Sequence, residues 1–364
     1  MFKNIELYKS NIHEIVDRIN KLHKDVSQKK GGNIFFRVYL DSDGDVFKIL
    51  DIGGYDYGKN SEIERYAQDL CRLMEESFTK RAPVMDDAIP ILLPFLGIGD
   101  FSTFVTGEIY FAQGTSWSRP CLENLRDYKN FEPIGTSSWY KKILKICEQI
   151  MLHAKGSGVP FSKAFFSPLD LAEALRGGEI YIDFFEDPEG VHELLEYCTN
   201  ALIIFMEDVY ALIRKNLGEE VYALRHFDSV INNMSEDIAC LISPEHYREF
   251  AAPYTQRIIN HFGISNMHCH SRALYLVKEI CNLDNVMNLW IAADPNQPRP
   301  IDRLEEMIED AKGVCLTIDC NSIEELEQNL ETARRGNVSF ALYVKDLDEG
   351  ITATKRFREL MNEL

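Results

Sequence analysis

The sequence predicts an α/β fold, a (β/α)8 TIM barrel with an N-terminal helical and hairpin extension, and three observations carry that prediction. The final third of the chain alternates helix and strand four times in a row, which requires a parallel sheet. About eight strand candidates are spread over the whole chain, the number a closed barrel uses. No Gly-x-Gly-x-x-Gly or Gly-x-x-x-x-Gly-Lys-Ser/Thr follows any of them, so an open dinucleotide-binding sheet would lack its phosphate cradle. The expected division is an extension over residues 1–60, packed on a barrel over residues 61–364.

From the N-terminus, Asn11 followed by Glu14, with Ile12, Ile15, Val16 and Ile19 on one face, predicts a capped amphipathic helix that Gly31-Gly32 ends. Residues 34–40 and 46–52 read as two strands joined by the Asp41-Ser-Asp-Gly-Asp45 turn. A helix follows over 62–80. Residues 83–99, with three prolines and two glycines around Asp86 and Asp87, predict a fixed, non-repetitive path. Residues 103–111 and 159–166 read as strands, 139–154 as a helix, and 114–120 as a loop carrying Trp117 and Arg119.

Ser167-Pro168-x-Asp170, Asp187-Pro188-Glu189 and Ser243-Pro244-Glu245 each supply an N-cap, a proline at the first helical position and an acid, opening three helices that include 246–261. Strands 264–268, 286–291, 314–319 and 338–344 then alternate with helices 272–281, 303–312, 322–335 and one from 351 to the end. Asp302/Glu305 and Asn321/Glu324 have capping-box spacing, and Gly313 and Gly336 stand where C-cap glycines belong.

Composition bounds the partners. The chain has 364 residues, 45% hydrophobic and 27% charged, with a net charge of −19 and no Lys/Arg-rich run. Such an acidic chain is not expected to bind a nucleic-acid backbone or an anionic membrane. No run approaches the ~20 apolar residues of a spanning helix, and the first residues lack signal-peptide order, so a cytoplasmic protein is expected. Nine scattered cysteines, never in Cys-x-x-Cys spacing, argue against a disulfide framework or a zinc ribbon.

The sharpest chemical signal is Met267-His268-Cys269-His270-Ser271. Residues two apart on a strand share a face, so both imidazoles can meet one ligand or metal ion. In a barrel the C-terminal strand ends converge on one mouth, and here they carry Asp86/Asp87, Glu236/Asp237, His268/His270, Asp294 and Asp319/Cys320. Imidazole, carboxylate and thiolate are zinc's usual donors, and a His beside a carboxylate also serves acid–base chemistry. The candidates are therefore Asp87, Glu236 and Asp237 as catalytic residues and Asp86, Trp117 and Arg119 as substrate-binding residues. His268, His270 and Cys320 are the candidate metal ligands. No Gly-x-Ser-x-Gly elbow supports a serine hydrolase.

Residues 83–99, Ser167 to Gly177, Asp187 to Val191, Asp237 to Phe250 with Pro253-Tyr254, and Met267 to Ser271, in this order, resemble the uroporphyrinogen decarboxylase superfamily. The resemblance implies a (β/α)8 barrel with its site in the mouth. It also implies one of two chemistries: cofactor-free decarboxylation of uroporphyrinogen, or zinc-dependent methyl transfer between a corrinoid protein and a small thiol. The decarboxylase branch carries an arginine-rich N-terminal motif that is absent before Arg37, and an acidic mouth would repel a polyanionic porphyrinogen. Asp87, or its neighbour Asp86, matches that branch's pyrrole-binding Asp. The methyltransferase branch uses His-x-Cys and a second Cys after the last strand. Here His268 matches, His270 replaces the first Cys, and Val344-Lys345-Asp346 stand where the second would be. Zinc is then expected on His268, His270 and either Cys320 or Glu236, with fewer thiolates making the ion more Lewis-acidic. The leading expectation is a zinc-dependent methyltransferase acting on a small-molecule thiol or related nucleophile, with a corrinoid protein as methyl donor. The alternatives are a metal-free porphyrinogen decarboxylase and a barrel that binds corrinoid or tetrapyrrole without turnover.

Overall fold

The computed structural model describes residues 2–40, 46, 49–226 and 234–362. Its core is a seven-stranded, wholly parallel sheet. The strands are β1 (Asn33–Leu40), β4 (Phe165–Phe166), β5 (Met234–Ser235), β6 (Ser265–His270), β7 (Val286–Ala292), β8 (Cys315–Cys320) and β9 (Asn337–Val344), in the order β1-β9-β8-β7-β6-β5-β4. Outside it, β2 (Tyr110–Ala112) and β3 (Thr115–Trp117) form an antiparallel hairpin.

The gap between β4 and β1 is where an eighth strand belongs, and residues 84–92 lie in it without forming a regular ladder. Asp87 N donates to Phe36 O (2.8 Å), while Leu92 bridges to Phe161 in parallel through Leu92 N to Pro160 O and Ser162 N to Leu92 O (both 2.9 Å). The prolines explain the irregularity: Pro83, Pro90, Pro94 and Pro160 have no N–H to donate to a ladder. The layout is thus the α/β barrel expected, with one side held by isolated bonds.

That arrangement corrects the expected hairpin. β1 pairs with β9 on one side, Asn33 opposite Asn337, and Asp86 and Asp87 take the N–H groups of Val38 and Phe36 on the other. No edge is left for a partner at 46–52. Among the described residues of that stretch, Leu50 N bonds Val46 O, and Ile52–Gly54 is a 3-10 turn. The Asp41–Asp45 turn lies outside the described residues. Residues 33–40, expected in the extension, are a strand of the main sheet. Likewise Thr103–Thr106 is a short helix closed by Gly107 at φ 76°, so only the end of the expected 103–111 strand is extended.

The long helices are α1 (Ile12–Ser27), α2 (Asn60–Arg81), α3 (Ser138–Ala154), α4 (Pro168–Arg176), α5 (Pro188–Leu217), α6 (Ala252–Phe262), α7 (Leu304–Ala311), α8 (Ile323–Ala333) and α9 (Leu347–Asn362). α1 buries Ile12, Ile15, Ile19, Leu22 and Val26. Each such side chain contributes about 1.5–3 kcal/mol, so this stripe anchors the helix, and the cap does not. Asn11 makes no side-chain cap bond and instead donates to Asp86 O. Ile19 and Leu22 of α1 meet Phe35, Arg37, Asn266, Asn288, Cys315 and Ser339 around one small cavity, so α1 closes the N-terminal floor of the barrel. The opposite, C-terminal end is the open mouth.

Ser167, Asp187 and Ser243 cap as expected, accepting from Asp170 N, Gly190 N and His246 N. At α8 the cap is Ser322, one residue beyond Asn321, and Asp302 lies inside a 3-10 turn that precedes α7. The helix expected over 246–261 contains a π-helical turn, Tyr247–Ala251, just before Pro253. Proline's missing N–H and its clash with the i−4 carbonyl account for the widened turn. Among the described residues, no helix is long and apolar enough to cross a membrane.

Candidate metal centre

Two neighbouring strands supply the site. β6 sits between β5 and β7 with Ser235 opposite His268 and Trp290 beyond it. Asn266 faces the floor cavity, and the two-residue period places His268 and His270 above it on the same inner face. The β5 ladder continues one residue past its end, with Glu236 N donating to His268 O (2.8 Å), and the chain then turns at Asp237.

Glu236 faces the helices instead of the mouth. It is fully buried, and its Oε1 accepts from Thr255 Oγ1 (2.7 Å) and from Tyr247 OH (3.2 Å), which the π-helical turn brings into line. Burial pushes its carboxyl up to about 7 against the opposing hydrogen bonds of Thr255, Ser167 and Tyr247, and the Asp237 charge adds to the rise. A raised carboxyl stabilises the fold fully below the unfolded value near 4.5 and loses that contribution as pH rises to about 7. Glu236→Gln keeps both bonds to Oε1 and removes the proton. We expect it to be about 1–3 kcal/mol more stable than wild type at about pH 8 and nearly equal to it at about pH 4.5. Urea unfolding at the two pH values measures this, and an equal effect at both would contradict it.

Asp237 is held through its backbone. Asp170, at the third position of α4, accepts from Asp237 N (3.0 Å) and Ser235 Oγ (2.6 Å) on Oδ2 and from Ile238 N (3.0 Å) on Oδ1. Burial, then the charges of Asp237 and Glu236, hold the Asp170 carboxyl well above its ordinary value. This clamp fixes the turn that presents the Asp237 side chain.

Asp237 Oδ1 lies 3.5 Å from His268 Nε2 and 3.3 Å from His270 Nε2. One donor atom from each of the three residues falls within 4.8 Å of the others, the only such grouping among the described residues. Asp237 Oδ1 is buried yet makes no hydrogen bond of normal geometry. His268 packs against the Trp290 ring at 4.7 Å between centroids, and burial pushes its imidazole down to about 4, so it is neutral at pH 7. His270 is a third exposed. The Asp237 carboxylate, with that of Asp294, raises it above its ordinary value despite burial. Its Nδ1 bonds Asp294 Oδ1 at 2.9 Å. An orphaned carboxylate oxygen facing two imidazole nitrogens is a donor set that a divalent cation satisfies, and two nitrogens with one oxygen leave a coordination position open. The residues therefore fit a zinc ion.

The third donor corrects an expectation. Cys320 is on β8, with β7 between it and β6, and two strand spacings amount to roughly 10 Å. Its thiol donates to Ala341 O (3.5 Å), and burial pushes it up to about 12. Cys269 is buried on the other face of β6. The structure brings Asp237, expected to be catalytic, to the two histidines, and Cys320 and Glu236 stay away from them.

The other expected site residues lie elsewhere. Asp86 is buried against Lys9, Arg81 (3.0 Å) and Val38 N (2.9 Å), and Asp87 against Arg18 and Phe36 N (2.8 Å). Burial raises both carboxyls, but the Lys9 and Arg81 charges bring Asp86 below its ordinary value, while Asp87 stays above despite Arg18. Trp117 is exposed on the β2–β3 hairpin, and the Arg119 guanidinium stacks over Tyr110 at 4.3 Å. None of these contacts involves Asp237, His268 or His270. Sequence reasoning placed Asp294 at a strand end without a partner and read Asp170 only as a capping acid. The signal for both was an acid at the C-terminal end of a strand or in the first turn after one, where backbone N–H groups and ligand histidines collect.

Comparison with known proteins agrees with this layout. Residues 108–287 match the family model for uroporphyrinogen decarboxylase (URO-D), a segment that includes Asp170, Asp237, His268 and His270. No curated protein sequence matches the chain. Among solved structures, a methyltransferase from Methanosarcina mazei superposes with a TM-score of 0.58 at 11% identity, over 94% of this chain and 99% of that one.

Proposed function

Because this chain belongs to the uroporphyrinogen decarboxylase-like superfamily, we propose that it is a zinc-dependent methyltransferase. It would move a methyl group between a corrinoid and a small thiol or related nucleophile. The observation that carries the reading is the convergence of Asp237 Oδ1, His268 Nε2 and His270 Nε2, with the carboxylate oxygen lacking any normal hydrogen bond. The methyltransferase that shares the fold supports the branch chosen.

Zinc bound there would act as a Lewis acid that lowers the pKa of the nucleophile. The chain's own residues do the rest. His268 and His270 would each supply a ring nitrogen from one strand face, and Asp237 a carboxylate oxygen. Asp170 holds the Asp237 turn in place. Trp290 packs against the His268 ring and helps to fix its orientation. Two imidazoles and one carboxylate would offset less of a dication's charge than a thiolate-rich donor set, so zinc held by these residues would be the stronger Lewis acid toward its nucleophile.

The test is elemental analysis of protein purified without a polyhistidine tag, comparing wild type with His268→Ala/His270→Ala. We expect about one zinc per chain in the wild type, lost in the variant, and methyl transfer from methylcobalamin to small thiols that follows the zinc content. A wild type that stays metal-free after zinc is supplied contradicts the proposal. Turnover of uroporphyrinogen would then favour a metal-free decarboxylase, and tight tetrapyrrole binding without product a binding barrel.

A further inference from the structure

We infer that Asp294 is a positioning residue that fixes the tautomer of His270, keeping the proton on Nδ1 and the Nε2 lone pair turned toward Asp237 and His268. The inference deepens the metal-site reading and rests on it for its functional meaning.

The geometry is specific. Asp294 follows β7 and reaches the end of β6, where its Oδ1 lies 2.9 Å from His270 Nδ1 and its Oδ2 accepts from Arg272 N at 3.2 Å. Its own backbone is pinned in return, with Asp294 N bonded by Ser271 Oγ at 2.8 Å. Arg272 Nε stands 3.7 Å from Oδ2, which favours the ionised carboxylate. An ionised carboxylate only accepts, and Asp294 Oδ1 at 2.9 Å from Nδ1 is closer than Asp237 Oδ1 at 3.3 Å from Nε2, so the single proton of a neutral imidazole goes to Nδ1 and the lone pair stays on Nε2. Carboxylate partners of this kind orient ligand histidines and raise their basicity.

The decisive variant is Asp294→Asn, which keeps shape but replaces one acceptor by a donor. An amide nitrogen placed at Oδ2 would face the Arg272 N–H, donor against donor. Placed at Oδ1 it would donate to His270 Nδ1, leaving the amide oxygen to accept from Arg272 N. The second arrangement satisfies every group, and it forces the His270 proton onto Nε2, where it blocks coordination.

Two measurements on the full chain test this. In metal-free protein, at an alkaline pH where the same spectra show the His270 ring to carry a single proton, long-range proton–nitrogen correlation spectra of histidine-labelled material report the His270 tautomer. We expect Nδ1–H in wild type, Nε2–H in Asp294→Asn, and a mixture in Asp294→Ala, which removes the acceptor without adding a donor. Zinc competition against a chromophoric chelator should show Kd weakened about 10–100-fold in Asp294→Asn. An unchanged tautomer in both variants overturns the inference whatever the zinc affinity. If the tautomer switches while wild type binds no zinc, the positioning role stands and the metal-site reading falls. A loss of folding alone would leave the spectrum of the remaining native protein unchanged, so a structural role and a positioning role give different results.

Discussion

Lys163→Met is expected to destabilise the protein by about 3–5 kcal/mol, because it strips the partner from a carboxylate that has no access to water. Lys163 Nζ lies 2.6 Å from Asp100 Oδ1, and both side chains are only 1% exposed. The ammonium also donates to Ala164 O (3.2 Å) and sits 4.5 Å from the centre of the Phe101 ring. Burial already holds the Asp100 carboxyl above its ordinary value, and the Lys163 charge opposes that rise. The pair links the 3-10 turn Ile98–Phe101 to the segment that runs from Pro160 into β4, on the irregular side of the barrel where ladder bonds are few. Urea unfolding of Lys163→Met, Asp100→Leu and the double variant measures the coupling. We expect the double variant to be more stable than the sum of the singles predicts, since an apolar pair leaves no bare charge. Strict additivity would show that the two groups do not stabilise one another.

A similar loss, about 3–5 kcal/mol, is expected for Asp86→Ala. Its carboxylate joins three parts of the fold: Lys9 from the N-terminal segment, Arg81 from the end of α2, and the free edge of β1 through Val38 N. Lys9 is nearly fully buried and keeps one other partner, Val84 O at 3.0 Å. Without Asp86 its charge is stranded, and Val38 N loses its acceptor. Chemical denaturation checks the magnitude. A variant as stable as wild type but inactive would instead assign Asp86 a role in substrate chemistry.

Much of the site was legible in the sequence because it is local. His268 and His270 share a face by the two-residue period of a strand, whatever the fold. The cap–proline–acid openings at Ser167, Asp187 and Ser243 start helices through bonds between residues three apart. The prolines of 83–99 forbid a regular ladder before any neighbour is known. What tertiary structure decided is everything that depends on which strands lie side by side. Asp237 joins the histidines because β5 neighbours β6, whereas Cys320, an equally good donor by type, is two strands away. Asp86 and Asp87 were recognisable as acids on a constrained path, but the path lies along the outer edge of β1, where Lys9, Arg18 and Arg81 neutralise them. Glu236 and Asp237 are adjacent in sequence, but because the chain turns at Asp237 one side chain enters a helix packing layer and the other the mouth. Spacing along the chain determines which side chains share a face; the order of strands in the sheet determines which faces meet, and bonds between distant residues set that order.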